Sequence, residues 1–362
     1  MPLMATWTLC RPMSESCWVP ATGPLDASCV LVGRDPGFHE MQQGKPFVGP
    51  SGRLLNQALA RAKLNRAALL VTNVVGTQPP GNDFAFHSPA NLERGLAALD
   101  KLLRAAPRRL IVALGSEALH ACLGLDQKVY SVTEVRGYVF EGPYGPVLAT
   151  LHPAFLLRAW HPNWALLNYD IAKAARLLSA LARAQHYDLW VPHLEMARWA
   201  VDKCLNAELV AVDIETDSDL RIACLAVSWD GVYGVTFPWR DEWKDLIQVI
   251  LGHDKPRKVF QNGQFDVTIL ERHGLSVANW DDTMLMWHAL EPALAGSTDS
   301  ERKKGKKRTE KSLRFLASIF TEEPWFKNYN FQSDEDRWKL NAVDARVTWE
   351  VARELEKRLQ CA

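Results

Sequence analysis

The first half of the chain alternates short, almost wholly apolar runs with longer amphipathic stretches, and this alternation limits the fold more than any other feature. Ser28–Gly33 (SCVLVG), Ala68–Val75 (ALLVTNVV), Arg108–Leu114 (RRLIVAL) and Pro146–Thr150 (PVLAT) each read as a strand. Runs without polar alternation belong to strands covered on both faces. Between them, Ser51–Ala62, Ala90–Ala105 and the stretch after Gly115-Ser116 have helical spacing, and a long helix is expected from Asn163 to Ala184. Strands alternating with helices predict an α/β domain with a mainly parallel sheet. In such sheets, ligands bind outside the carboxyl ends of the strands.

The second half is ordered differently. After Tyr187–Pro192 and a helix over His193–Leu205 come three strands, Leu209–Ile214, Arg221–Trp229 and Val232–Phe237, the last two joined by an Asp230-Gly231 hairpin turn. A helix (Asp241–Leu251), a strand (Lys258–Gln261) and further helices follow, which predicts a mixed sheet. The expected domains are 1–186 and 187–362. Charge divides the same way: the first half has 18 Lys and Arg against 12 Asp and Glu, the second 24 against 30, so the formal net charge of zero hides +6 and −6. A zero sum excludes a polybasic or histone-like protein. Residues 295–311 (AGSTDSERKKGKKRTEK) are basic and poor in apolar side chains, and are expected to form a mobile loop. Seven cysteines at irregular spacing point to a reducing compartment, and no apolar run reaches membrane-spanning length, so a cytoplasmic protein without a membrane is expected.

Three segments fall at predicted strand ends: Gly33-Arg34-Asp35-Pro36-Gly37 with Gly44–Pro50 (GKPFVGP), then Thr72-Asn73-Val74, then His152–Arg158 (HPAFLLR). Together they offer a carboxylate, an aromatic face, an amide that both donates and accepts, and an imidazole. A nucleobase pocket needs those groups. The segments resemble the uracil-DNA glycosylase superfamily, most closely its family four, over Ser28 to Leu178. The resemblance implies a three-layer αβα fold and excision of uracil from DNA. Gly33, Phe47, Asn73 and His152 would bind the base, Phe47 by stacking and Asn73 through the pyrimidine edge. His152 would stabilise the departing anion, and Leu156 or Leu157, followed by Arg158, would meet the DNA. Asp35 stands where family four usually has Ala in Gly-Glu-Ala-Pro-Gly. It supplies a carboxylate able to orient water and stabilise an oxocarbenium-like sugar. Family four commonly holds an iron–sulfur cluster. Here Cys10 and Cys17 are separated by six residues rather than two, and Gly95 stands where a later Cys is expected, so no iron–sulfur cluster is predicted.

A second set is acidic. Asp213 and Glu215 lie two apart near the end of a strand, and so on one face of it. Asp266 follows in Asn262-Gly263-Gln264-Phe265-Asp266, and Asp344 lies in the last predicted helix. Clustered carboxylates suit hard divalent cations, and two such ions can assist phosphodiester hydrolysis. The set resembles the 3′–5′ exonuclease domain of family-A DNA polymerases, a DEDD nuclease of ribonuclease H-like fold, over Tyr187 to Leu359. The resemblance implies that Asp213, Glu215, Asp266 and Asp344 hold Mg²⁺ or Mn²⁺. It also implies that Asn262 and Phe265 contact the DNA strand and that Asp282 supports the site. The family's Tyr, four residues before the last Asp, is Leu340 here, and the alternative His is Lys339. Asn341 and Tyr329 are the candidates to replace them.

The combined reading is a fusion that excises uracil and shortens 3′ ends, in a phage or bacterial replication setting. A family-A polymerase would be a separate chain or a missing continuation. The rival is an accessory module of a polymerase, with a uracil-sensing domain that does not cut and a weak nuclease. The basic run Arg302–Lys311 is a further candidate for phosphate contact.

Overall fold

A computed structural model of the protein describes residues 18–125, 130–158, 164–179, 185–295, 311–324 and 333–361. Cys10, Cys17, Tyr329 and nearly all of the basic segment 295–311 lie outside the described residues. The chain forms two compact units, Met1–Ala180 and Leu181–Ala362.

The first unit is built on a five-stranded sheet of β1 (Cys29–Gly33), β2 (Leu70–Asn73), β3 (Leu110–Leu114), β4 (Val139–Gly142) and β5 (Gly145–Thr150), in the order β2-β1-β3-β5-β4. All pairs are parallel except the β4–β5 hairpin. Every residue of β1, β2 and β3 is buried, because helices cover both faces. These helices are α1 (Phe38–Gln43), α2 (Pro50–Arg61), α3 (Pro89–Arg104), α4 (Ser116–Leu123), α5 (Val132–Val135), α6 (Pro153–Arg158) and α7 (Trp164–Ser179). From β1 the chain moves outward to β2, then crosses to β3 on the other side of β1, leaving a crevice at the reversal. The registers Gly33↔Asn73 and Leu114↔Thr150 bring the carboxyl ends of four strands level.

Behind that edge a buried ion pair ties β5 to α7. Asp170 accepts from Arg136 Nε at 3.0 Å and from Thr150 Oγ1 at 2.6 Å. Both charges are out of water, so removing either partner alone would leave an uncompensated charge.

The second unit carries a six-stranded mixed sheet, in the order β11-β10-β7-β8-β9-β6. Its strands are β6 (Tyr187–Trp190), β7 (Leu209–Thr216), β8 (Ile222–Ser228), β9 (Tyr233–Pro238), β10 (Arg257–Phe260) and β11 (Trp280–Asp282). The helices are α8 (Leu194–Leu205), α9 (Asp241–Gly252), α10 (Gly263–Arg272), α11 (Thr283–Leu290), α12 (Pro292–Ala295), α13 (Leu313–Phe320) and α14 (Asp334–Leu359). The long α14 starts with Ser333 accepting from Asp336 N, with three acids in its first turn that complement the helix dipole. It is clamped across the sheet by Thr236 Oγ1 donating to Trp338 O (2.7 Å) and Trp349 Nε1 donating to Leu209 O (3.2 Å). Gly234 permits this approach: a Cβ there would lie 2.1 Å from Ala342 O. Arg346, fully buried, bonds to Asp188 on β6, Glu323 and Glu350, fixing α14 to the sheet edge.

Candidate functional site

In the first unit, Asp35, Phe47, Asn73 and His152 all line one cavity of about 620 Å³ at the carboxyl edge of the sheet. Each arrives by a different route. Asp35 follows β1, Asn73 ends β2, and His152 follows β5 just before α6. Phe47 sits in the loop between α1 and α2 with a positive φ of 52°, its ring 5.8 Å from the His152 ring. That loop is fixed from below by Glu40, a buried acid of α1 whose Oε1 accepts from Val48 N (2.9 Å) and Gly49 N (2.7 Å). Gly33 has no substitute here: a Cβ would lie 2.4 Å from Asn73 Oδ1 and 2.5 Å from the Phe47 ring.

The polar groups in the cavity have defined states. Ala154 N donates to His152 Nδ1 at 3.1 Å, so Nδ1 is an acceptor and the neutral ring carries its proton on Nε2. Burial, with Arg34 and Arg158 nearby, lowers the His152 pKa to about 4, which keeps the ring neutral. Asn73 Oδ1 is buried and has no hydrogen-bond partner among the described residues, although such groups are normally satisfied. Burial raises Asp35 to about 6, while the Arg34 guanidinium, with its Nε 3.0 Å from Oδ2, works against the rise.

One expectation changes at this edge. Leu156, expected with Leu157 to meet DNA, is 5% exposed and packs in the core. Leu157, at 46%, and Phe155, at 39%, are the exposed apolar residues of α6, and both line the cavity, as does Arg158. The alternation of faces on a helix separates Leu156 from its neighbours, which the bare motif does not reveal. At Gly95, a Cβ would lie 2.6 Å from Val74 O and 3.0 Å from Val75 Cγ2. The residue there offers no thiolate and the backbone leaves no room for one, so this position does not fit a cluster ligand.

In the second unit, one carboxylate oxygen from each of Asp213, Glu215 and Asp344 lies within 4.8 Å of the others. Asp213 and Glu215 share a face of β7, and α14 brings Asp344 against it. Asp266 is not part of this group of three. It is buried at the start of α10, with its Oδ1 3.4 Å from Ile214 N. Burial raises all of these acids, and repulsion from neighbouring carboxylates adds to the rise at Asp213, Asp266 and Asp344; Asp266 and Asp344 reach about 7 and Asp213 lies well above the ordinary carboxylate range, while Arg337 opposes the rise at Glu215. Buried like charges with hard oxygen donors fit a divalent cation and are otherwise costly to ionise together.

Asp282, ending β11, accepts from Asn262 N (3.0 Å), Gly263 N (2.9 Å) and Met284 N (2.8 Å), and so fixes the turn into α10. Asn262 takes the left-handed conformation in that turn, and Phe265 is 44% exposed. Asn341 is fully buried and its Nδ2 donates to Asp213 Oδ2 at 2.7 Å. It holds the Asp213 carboxylate in place. Sequence reasoning missed Glu40, Arg136, Asp170 and Arg346. Each sits on a helix or loop, and no spacing separates it from a solvated charge.

Residues 20–172 match the family model of the uracil DNA glycosylase superfamily, and residues 190–360 match that of a 3′–5′ exonuclease. The type-4 uracil-DNA glycosylase of Archaeoglobus fulgidus is 35% identical over 145 residues, which are 39% of this chain and 72% of that protein. The enzyme of the same description from Thermotoga maritima is 38% identical over 141 residues, 38% of this chain and 69% of that protein. Among solved structures, the catalytic core of RRP6 from Trypanosoma brucei is 18% identical with a TM-score of 0.36; the match covers 48% of each chain. Brucella melitensis NrnC is 17% identical with a TM-score of 0.36, over 50% of this chain and 83% of that one. The chain thus spans about half of the RRP6 core it matches. The chain belongs to the uracil-DNA glycosylase superfamily through its first unit, and its second unit matches the 3′–5′ exonuclease family model.

Proposed function

We infer that this protein excises uracil from DNA and, at a separate site, degrades DNA from 3′ ends. The observation that carries the first activity is the meeting of Asp35, Phe47, Asn73 and His152 in one cavity. A flipped uracil would lie against Phe47. Its N3–H would satisfy the orphaned Asn73 Oδ1, and the amide Nδ2 would donate to O4. Ionised Asp35 would accept a proton from the water that attacks C1′ as the C1′–N1 bond breaks. The leaving base departs as an anion, and His152 Nε2–H donates to its O2. A neutral donor suits this role, because it stabilises the anion without first competing for its proton.

For the second activity, Asp213, Glu215 and Asp344, with Asp266 behind them, would hold Mg²⁺ or Mn²⁺. Such ions, when bound, activate water and stabilise the leaving 3′ oxygen. The chain's own contribution is to gather the oxygens: Asn341 fixes Asp213, and Asp282 holds the turn carrying Asn262. Leu340 offers no hydroxyl to orient water, so the nuclease rate is reduced.

The test is one labelled uracil oligonucleotide, incubated with and without EDTA and then treated with alkali. Alkali-sensitive cleavage at the uracil in both arms, with 3′ shortening only where metal is available, is expected. Tight binding of uracil DNA with no free base released would favour the accessory-module reading instead.

A further inference from the structure

Beside the cavity, two buried polar atoms face each other without a hydrogen bond between them. Asp35 Oδ2 and His87 Nε2 are both out of solvent, and neither has an aligned hydrogen-bond partner among the described residues. They lie 3.6 Å apart. Arg34 Nε is near Oδ2 at 3.0 Å and Arg34 also donates to Oδ1 at 3.3 Å, so the guanidinium supplies charge while Oδ2 still lacks an aligned hydrogen. A buried polar atom left unmatched is costly, and a modest approach would satisfy both atoms at once.

We propose that His87 is a positioning residue for Asp35, its Nε2–H donating to Oδ2 and fixing the rotation of the carboxylate. The inference rests on the reading of this cavity as a uracil-excision site. The loop that delivers the imidazole is built for rigidity. His87 packs edge-on against Phe84 with ring centres 5.1 Å apart, and its backbone N donates to Phe84 O at 3.2 Å. The next residue, Ser88, caps α3 by accepting from Asn91 N at 3.2 Å. The same loop grips Arg34: Asn82 O accepts from its NH2 at 3.1 Å, and the Phe84 ring lies 5.7 Å from its guanidinium carbon. One short segment therefore sets both neighbours of Asp35.

The charged groups that face Asp35 are Arg34, which favours ionisation, and Glu117 and Asp83, which oppose it. Burial and Arg34 hold His87 below its ordinary pKa, so it meets Asp35 as a neutral donor and not as a second cation. A donor to the ionised carboxylate lowers its pKa. Losing it should leave Asp35 ionising at higher pH.

The full chain is tested as wild type, His87→Ala, His87→Gln and Asp35→Asn. In His87→Ala, kcat for uracil release should fall on the order of tenfold, the equivalent of one hydrogen bond to a charged group. KM should stay unchanged, and the acid limb of the rate profile should move to higher pH. His87→Gln, whose amide can donate from a similar place, should recover most of both. The activity-independent readout is the ¹⁵N resonance of His87 Nε2 in histidine-labelled protein. It should report a protonated nitrogen and shift as Asp35 titrates, and the shift should be absent in Asp35→Asn. A wild type that releases no uracil refutes the excision reading and leaves the resonance to decide the hydrogen bond. An active wild type with an inert Asp35→Asn, but with unchanged rate and acid limb in His87→Ala, overturns the role of His87. So does a Gln variant as impaired as Ala in folded protein, or a resonance blind to Asp35.

Discussion

At the residue scale, the uracil cavity depends on the protonation states of two side chains. In the role proposed for it, Asp35 must be ionised to accept a proton, and burial raises it to about 6. Release should therefore be full above that value and decline as pH falls through it, with His152 still neutral because its own pKa is lowered to about 4. A rate profile flat down to pH 5 would contradict a base role for Asp35. Replacing Asp35 with Asn should lower kcat by roughly a hundredfold or more, the usual range for a positioned base, with 3′ shortening unaffected. The chemical identities of these residues were legible in the sequence because the motifs sit at strand ends. Their states were not: the neutral His152 tautomer depends on a hydrogen bond from Ala154, and the raised Asp35 depends on burial by segments distant in the chain.

At the element scale, each site is held by one contact that the sequence hides. The Phe47 loop hangs on Glu40, whose carboxylate takes two backbone N–H groups. Glu40→Ala would leave the buried Gly49 N–H unsatisfied, a cost of about 1–3 kcal/mol, and should raise KM for uracil DNA by loosening the stacking ring. Glu40→Gln keeps an acceptor and should lose less; equal losses in the two variants would argue against this hydrogen-bonding role. In the other unit, Gly234 lets α14 lie against β9. Gly234→Val should push Ala342 and with it Asp344 away from β7, abolishing nuclease activity while uracil release continues. The parallel strands of the first unit were legible because strands buried on both faces leave continuous apolar runs. The β4–β5 hairpin and the three-residue β11 were not, since Val139–Gly142 is only partly buried and Trp280–Asp282 is too short to show a period. Leu156 shows the same limit: a motif read as a string does not say which way each helical side chain turns.

At the scale of the whole molecule, the clustered acids of the second unit make a stability prediction that differs between the units. In the absence of metal, Asp266 and Asp344 are raised to about 7, and Asp213 is raised in the same direction. An unfolded Asp titrates at about 4. Between those values the folded protein binds more protons than the unfolded chain, so its stability is greatest below the window and is lost as pH rises through it. Like charges held together thus oppose folding at neutral pH unless a cation balances them. Asp213→Asn should therefore raise the melting temperature of the nuclease transition in EDTA at pH 8, because it removes one charge and its new amide oxygen can still accept from Asn341. Adding Mn²⁺ should reverse the order. The wild type should gain about 2.7 kcal/mol at a hundred times its dissociation constant, while the variant, short of a ligand, gains little. The uracil-excision transition should not move in either buffer. Calorimetry of the two proteins with and without Mn²⁺ checks all three outcomes. A variant less stable than wild type in EDTA would mean that Asp213 holds the sheet together and is not a charge stored for a metal.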